Sequence, residues 1–340
     1  MVVLMALEYG LTTLLKYVNA NAVTSISGLM PAGSFVRLQA HDKDIEKPQG
    51  TYTWGPLDAA VDLFYSAGFK IVLTIEGMAN WFLDPTCGLP TAIGIGCDAI
   101  NSQIASWGWQ LINRYKSKIV GVEMGNEEFA FVTGSCRAAT IYAGIIAQCY
   151  PYLKSLLGSA QTVGCFGYTN YSGNTGDDGD PNYWFNALFA ANSGVAYMDY
   201  ANFHYYNGGN DPAVGKSGGA PPLPTVCSAI YDAAVSNSLR SLPIRCTEFG
   251  WQGKPTSGNT TCPNNIGASL QGTYTTEAFG ELAAATNVTH GFLYTDGAAE
   301  AGFYDCHDLD GLSSYDVVKN YMAGYTPPAA NATVYRMWVK

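Results

Sequence analysis

The chain has 340 residues, of which 48% are hydrophobic and only 13% charged, and its formal net charge at pH 7 is −10. A chain of this length and apolar content can bury one large core, which argues against a disordered protein. Excess negative charge repels phosphate backbones, so we expect no nucleic-acid partner. The absence of any apolar run of 18 residues predicts no transmembrane helix and no membrane partner.

Short apolar runs alternate with longer helix-patterned stretches along the chain. The predicted strands are, in chain order, 2–9, 34–39, 70–75, 119–124, 162–168, 198–206, 244–249 and 291–295. Helical patterns lie between them, notably at 56–67, 101–115, 138–157 and 274–285. Eight strand–helix units predict parallel strands with crossover helices, and their number favours a closed (β/α)8 TIM barrel of the α/β class over an open sheet. The first predicted strand is also compatible with the start of a helix.

The whole chain, 1–340, is predicted to be one barrel domain and a monomer, with 327–340 as an extended closing segment. Loop-forming residues such as Gly, Ser, Asn and Pro are concentrated at 169–182, 207–224 and 252–269, each after a predicted strand. We interpret these stretches as loops of the face at the carboxyl ends of the strands, rather than as domain linkers.

Nine cysteines are many for a cytosolic enzyme, and none forms a CxxC pair. Cys87 and Cys97 bracket a glycine-rich loop, while Cys262 and Cys306 lie in two late loops that a barrel would bring side by side. Both pairs are therefore predicted disulfides, with buried free thiols as the alternative, and they favour a secreted, extracellular protein.

Other sequence patterns bear on metals and cofactors. Cys165 and Cys246 fall inside predicted strands, where we expect buried free thiols. Only four histidines are present, with no H-x-H or H-E-x-x-H pattern, which argues against a metal-dependent barrel hydrolase. No P-loop and no GxGxxG after a strand occurs, so no cofactor and no metal are expected.

Two predicted strands lead into glutamates at their carboxyl ends. The fourth strand continues into Asn126, Glu127 and Glu128, and the seventh contains Glu248. Burying a carboxylate is costly, so its presence here requires a reason. Glycoside hydrolysis needs two carboxylates facing each other, one to protonate the leaving oxygen and one to attack the anomeric carbon. Strands four and seven lie across the barrel from each other, at its catalytic face.

These segments resemble the clan A glycoside hydrolases, the retaining β-glycosidases that include cellulases, mannanases and xylosidases. That clan is marked by an Asn-Glu pair ending strand four and a Glu ending strand seven, which Asn126-Glu127 and Glu248 match. The resemblance implies that Glu127 is the acid/base and Glu248 the nucleophile of a double displacement. Glu123, four residues before Glu127, matches a further frequent feature of the clan.

The resemblance also implies roles for polar residues near these glutamates. Arg37 resembles the strand-two arginine that supports the nucleophile Glu248, although an ion pair with Glu46 or Glu76 is the alternative. Asn126 is expected to donate a hydrogen bond to the sugar 2-hydroxyl, with a loop-capping amide as the alternative.

Aromatic and histidine side chains complete the candidate substrate site. His204 and Tyr206 resemble the His-x-Tyr element of strand six; Tyr206 is expected to donate to the nucleophile, and His204 either binds a sugar hydroxyl or Arg37 or is a core histidine. Trp81 and Trp251 follow strands three and seven and are candidate walls of sugar subsites.

The sequence departs from the clan's pattern at three points. Glu128 stands where Pro often follows the acid/base, and it is a rival candidate to Glu127. Strand eight carries Tyr294 where a Trp usually stacks under the sugar, and we expect none of the accessory β-sandwich of xylosidase-like members. The resemblance implies a β-glucan or mannan-type oligo- or polysaccharide as the substrate, and the expected lack of an accessory domain favours endo-cleavage. A transglycosylase and a carbohydrate-binding barrel without hydrolytic activity are the alternatives.

Overall fold

The computed structural model describes residues 7–15, 18–41, 45, 51–76, 108–126, 139–165, 168–169, 181–215, 221–253, 264–294, 309 and 312–325. Within them the strands are β1 Glu8–Leu14, β2 Phe35–His41, β3 Lys70–Glu76, β4 Ile119–Met124, β5 Thr162–Gly164, β6 Tyr168–Thr169, β7 Ala201–Tyr205, β8 Ile244–Phe249 and β9 Val288–Tyr294. The helices are α1 Ala20–Leu29, α2 Gly55–Ser66, α3 108–115, α4 Ala139–Leu156, α5 Pro181–Ala191, α6 Leu223–Ser236, α7 Ala268–Ala284 and α8 Ser313–Met322.

The strands form one parallel sheet in the order β5-β4-β3-β2-β1-β9-β8-β7-β6. β5 pairs with β4 and β6 pairs with β7, and a bridge joins Gly164 to Tyr200. β5 and β6 are therefore two halves of the fifth barrel strand, and the ring of eight closes between them. This arrangement confirms the predicted (β/α)8 barrel, in which β8 is the seventh barrel strand and β9 the eighth.

The first strand is Glu8–Leu14, six residues later than predicted, and residues 1–6 lie outside the described part of the chain. The predicted strand began too early because the apolar run at the amino terminus precedes the observed strand, whose buried residues include two threonines. Thr12 and Thr13 are both buried in the strand, and the Thr12 hydroxyl donates to the Thr247 carbonyl at 2.6 Å. β-Branched threonine forms strands well, and a carbonyl of β8, which lies beyond β9 in the sheet, satisfies the hydroxyl of Thr12.

Large side chains fill the lower part of the barrel interior. Phe35, Val72 and Phe292 form an apolar cluster there. A Cβ added to Gly10 would lie 2.6 Å from the Phe292 ring, and one added to Gly164 would lie 2.5 Å from the Tyr200 ring. These two glycines therefore let aromatic rings cross the interior, above which the polar residues of the site are arranged.

The four cysteines among the described residues are buried thiols. Cys165 and Cys246 confirm the prediction for those two positions, and Cys149 and Cys227 share the same state. The predicted disulfide cysteines lie outside the described residues, so both disulfides stay predictions. No helix in the described ranges is long and apolar enough to cross a membrane.

Candidate active site

Arg37 connects the two strands that carry the candidate catalytic glutamates. It lies on β2 with its side chain fully buried in the barrel. Its Nε donates to Glu123 Oε2 at 2.6 Å, its Nη1 to Glu248 Oε1 at 2.6 Å and its Nη2 to Asn126 Oδ1 at 2.7 Å. One guanidinium thus fixes the position of groups on the fourth and seventh barrel strands, where the sequence predicted an arginine supporting the nucleophile.

Glu248 is a buried carboxylate with donors on both oxygens, and only 4% of the residue is exposed. Besides Arg37, the Gln39 amide donates to Oε1 at 2.5 Å. The Tyr206 hydroxyl donates to Oε2 at 2.9 Å, as predicted, and His204 Nδ1 lies 3.5 Å from the same oxygen. These contacts fix the direction in which the carboxylate points, which preorganises it for reaction.

His204 contributes no charge to this cluster near neutral pH. Burial lowers the pKa of His204 to about 4, and the nearby Glu248 carboxylate only partly offsets that effect. The charges that are bonded directly to one another are then those of Arg37, Glu123 and Glu248. The carboxylate of Glu248 can stabilise a cation that develops beside it.

No protein-family model matches the sequence, and no curated protein sequence matches it either. The fold matches that of solved structures. An endo-β-1,4-mannanase from Thermotoga petrophila superposes with a TM-score of 0.59 at 13% identity, over 94% of this chain and 76% of that chain. A psychrophilic glycoside hydrolase family 10 endo-β-1,4-xylanase superposes with a TM-score of 0.58 at 15% identity, over 93% of this chain and 96% of that chain. A GH113 β-1,4-mannanase superposes with a TM-score of 0.55 at 12% identity, over 94% of this chain and 98% of that chain. This chain has the barrel fold of these enzymes.

Asn126 lies just beyond β4, after a turn that requires glycine. Gly125 has φ +86°, in the left-handed region that glycine adopts without strain. The Asn126 side-chain oxygen accepts from Arg37 and, at 3.5 Å, from Gln39. Its amide nitrogen is consequently turned away from these two donors. The next residue is Glu127, which lies outside the described residues, as do Glu128 and Trp81.

The two described aromatic candidates have different environments. Tyr294, 5% exposed, meets edge-to-face, at 6.3 Å, the ring of Tyr206, whose hydroxyl donates to Glu248. Trp251 is only 2% exposed, and its Nε1 donates to Asn207 Oδ1 at 3.0 Å.

Trp251 was predicted to be a candidate wall of a sugar subsite, but its ring lies buried among other aromatic rings. Trp251 packs edge-on against the rings of Phe249, Tyr205 and Tyr274. Phe249 belongs to the core between the barrel and its helices. Trp251 follows it by two residues and, as strand alternation favours, joins the same core.

Sequence reasoning missed Gln39. It follows Arg37 by two residues on β2, so both side chains point into the barrel. That period of two was visible in the sequence, but a neutral amide at the end of a strand carries no chemical signal of its own.

Proposed function

We propose that the protein is a retaining glycoside hydrolase that cleaves internal β-linkages of an oligo- or polysaccharide. The observation that carries the proposal is the environment of Glu248, a buried carboxylate held by Arg37, Gln39 and Tyr206 at the carboxyl end of the seventh barrel strand. The fold shared with endo-mannanases and endo-xylanases supports a β-1,4-linked polysaccharide as the substrate class.

The reaction proceeds in two displacements. Glu127 donates a proton to the glycosidic oxygen while Glu248 attacks the anomeric carbon, which gives a glycosyl ester and frees the first product. Glu127 then removes a proton from water, which attacks the same carbon and restores the β configuration. Asn126 donates to the sugar 2-hydroxyl, and the Glu248 carboxylate stabilises the oxocarbenium-like transition state as it attacks.

The test is a panel of β-glucans, mannans, xylans and aryl β-glycosides, with the first product's anomeric configuration followed by proton NMR. We expect hydrolysis with the β anomer appearing first. Glu248→Ala should lose roughly a thousandfold or more in activity because the nucleophile is removed. The control variant Glu277→Ala, which removes an exposed carboxylate on α7, should keep its activity.

Other outcomes of this panel contradict parts of the proposal. An α product appearing first would exclude double displacement. Transfer to an added acceptor in place of hydrolysis would indicate a transglycosylase. Polysaccharide binding with no turnover of any substrate would indicate a carbohydrate-binding barrel.

A further inference from the structure

A buried tyrosine lies beneath the candidate active site. Tyr200 directly precedes β7, and 1% of it is exposed. Its hydroxyl donates to Glu123 Oε1 at 2.9 Å, while the other oxygen of Glu123 accepts from Arg37. Arg37 in turn donates to Glu248. Tyr200 is thus connected to the candidate nucleophile through one carboxylate and one guanidinium.

A second buried cation lies on the face of this tyrosine. The guanidinium carbon of Arg245 is 3.7 Å from the centroid of the Tyr200 ring and 5.9 Å from that of Phe35. Arg245 is 8% exposed, and its Nε and Nη1 have no hydrogen-bond partner among the residues that the structure describes. Its main described interaction is therefore with the ring, and a desolvated cation–π contact is stronger than an exposed one.

The charges along this column alternate from the bottom of the barrel to its top. Arg245 is positive, Glu123 negative, Arg37 positive and Glu248 negative, with the Tyr200 phenol between the first two. A cation on the ring face withdraws electron density, which makes the phenol a better donor to Glu123. Hydrogen bonds in such a buried chain polarise and strengthen one another.

We infer that Tyr200 and Arg245 are positioning residues, which hold the Arg37–Glu248 pair in its attacking geometry by acting through Glu123. The inference rests on the proposed function. Without the phenol, Glu123 Oε1 loses a donor in a buried place, and the carboxylate shifts to draw more strongly on Arg37. That shift moves Nη1 of Arg37 relative to Glu248, so attack is slowed while substrate binding is not.

The first experiment measures glycosylation of the enzyme by a substrate that the panel identifies. Tyr200→Phe keeps the ring for Arg245 and removes only the hydroxyl, so we expect kcat to fall about tenfold to a hundredfold with KM nearly unchanged. Arg245→Met should also lower kcat. Arg245→Lys, which keeps a cation on the ring, should retain most of the wild-type kcat. In the double variant Tyr200→Phe/Arg245→Met, kcat should match that of Tyr200→Phe alone, because Arg245 acts through the phenol.

Tyr115 provides the matched control. Its hydroxyl donates to Asp58 Oδ1 at 2.9 Å, and the Arg114 guanidinium carbon is 5.9 Å from its ring. This tyrosine–carboxylate–arginine group joins α2 and α3 outside the barrel. Tyr115→Phe should therefore leave both kcat and KM unchanged.

Azide rescue separates positioning from general damage. In Glu248→Ala, azide replaces the nucleophile, so adding Tyr200→Phe should leave the azide-supported rate unchanged. A further fall equal to that seen in the wild-type background would show a structural role and overturn the inference.

The two proposals fail in different ways. Wild-type kcat in Tyr200→Phe, with Glu248→Ala inactive, overturns the inference and leaves the proposed function standing. Full activity of Glu248→Ala, or a wild-type protein inactive on the whole panel, overturns the proposed function and the inference with it. Should Arg245→Met not fold, the Tyr200→Phe result decides alone.

Discussion

Arg37 and Glu248 form an ion pair of 2.6 Å between two side chains that are almost completely buried, and the same guanidinium holds Glu123 at the same distance. Two carboxylates on one arginine are stable in a barrel interior only while the arginine is present. Removing one partner of a buried ion pair leaves the others uncompensated.

Arg37→Met should therefore damage both stability and activity. We expect the free energy of unfolding to fall by about 3–5 kcal/mol, and kcat to fall by at least about a hundredfold because Glu248 loses its main support. Urea unfolding and steady-state kinetics measure the two effects. The control is Arg114→Met, which breaks the half-exposed pair with Asp58 and should cost less than about 1 kcal/mol. Equal costs for the two variants would contradict a special role for the buried pair.

His204 should make the protein less stable as the pH falls below 6.5. The pKa of His204 in the folded protein is about 4 because of burial, against 6.5 for an ordinary histidine. Between these values the unfolded chain binds a proton that the folded protein does not, so the free energy of unfolding decreases with falling pH. Above pH 6.5 His204 is mostly neutral in both states and adds little to the pH dependence of stability. Between pH 7 and pH 5 the loss from this one group is about 2 kcal/mol.

Urea unfolding at pH 7 and pH 5 checks this prediction. His204→Asn should lose about 2 kcal/mol less than the wild type between the two pH values. Burial also holds the pKa of His290 well below its ordinary value, so His290→Gln should change the pH dependence in the same direction. Identical pH dependence in His204→Asn and the wild type would show that folding does not lower the pKa of His204, which would contradict this prediction.

The fold followed from the sequence because apolar runs and helical patterns alternate eight times. The strands at 119–124 and 244–249 were predicted to the residue, since each is a nearly continuous buried run. The site was partly predictable, because charged groups such as Arg37 and Glu248 stand out within apolar strands. Tyr200 and Arg245 did not, since their roles depend on which side chains meet inside the closed barrel.

Gly164→Ala should disturb the barrel interior. A new Cβ would lie 2.5–2.6 Å from atoms of the Tyr200 ring, so the ring must shift. We expect a loss of about 1–3 kcal/mol in the free energy of unfolding, from overpacking, and a lower kcat if Tyr200 positions Glu123. Gly144→Ala, in α4 with nothing within 4 Å of the new Cβ, is the control and should be neutral or stabilising. Thermal unfolding and kinetics of the two variants provide the comparison.

The cysteines should divide into two chemical classes. Burial raises the pKa of Cys165 and Cys227 to about 12, and it raises that of Cys246 as well. These thiols should resist alkylation in the folded protein and react after unfolding, because the thiolate is the reactive form. Peptide mapping without reduction should show the Cys87–Cys97 and Cys262–Cys306 disulfides.

Finding those two disulfides would support our proposal that the protein is secreted into an oxidising compartment. If the four cysteines of the predicted disulfides are all alkylated without reduction, the proposal of secretion loses its main support.

The two candidate catalytic glutamates can be told apart by the configuration of the products that azide yields. Glu248→Ala cannot form a glycosyl-enzyme, so azide attacks the substrate directly from the vacated side and gives an α-glycosyl azide. Glu127→Ala keeps the nucleophile but lacks the proton donor, so an aryl β-glycoside with a good leaving group still forms the covalent intermediate. Azide then displaces Glu248 and gives a β-glycosyl azide, since each displacement inverts the anomeric carbon.

Proton NMR of the isolated azides distinguishes the two anomers, and Glu128→Ala is the matched control for Glu127→Ala because the two glutamates are adjacent. Glu128→Ala should hydrolyse the same glycoside at close to the wild-type rate and yield no azide product. The roles reverse if Glu127→Ala gives the α-azide. If Glu128→Ala instead gives the β-azide while Glu127→Ala behaves like the wild type, the acid/base is Glu128. Both assignments thus depend on the stereochemistry of one bond, which a general loss of folding cannot imitate.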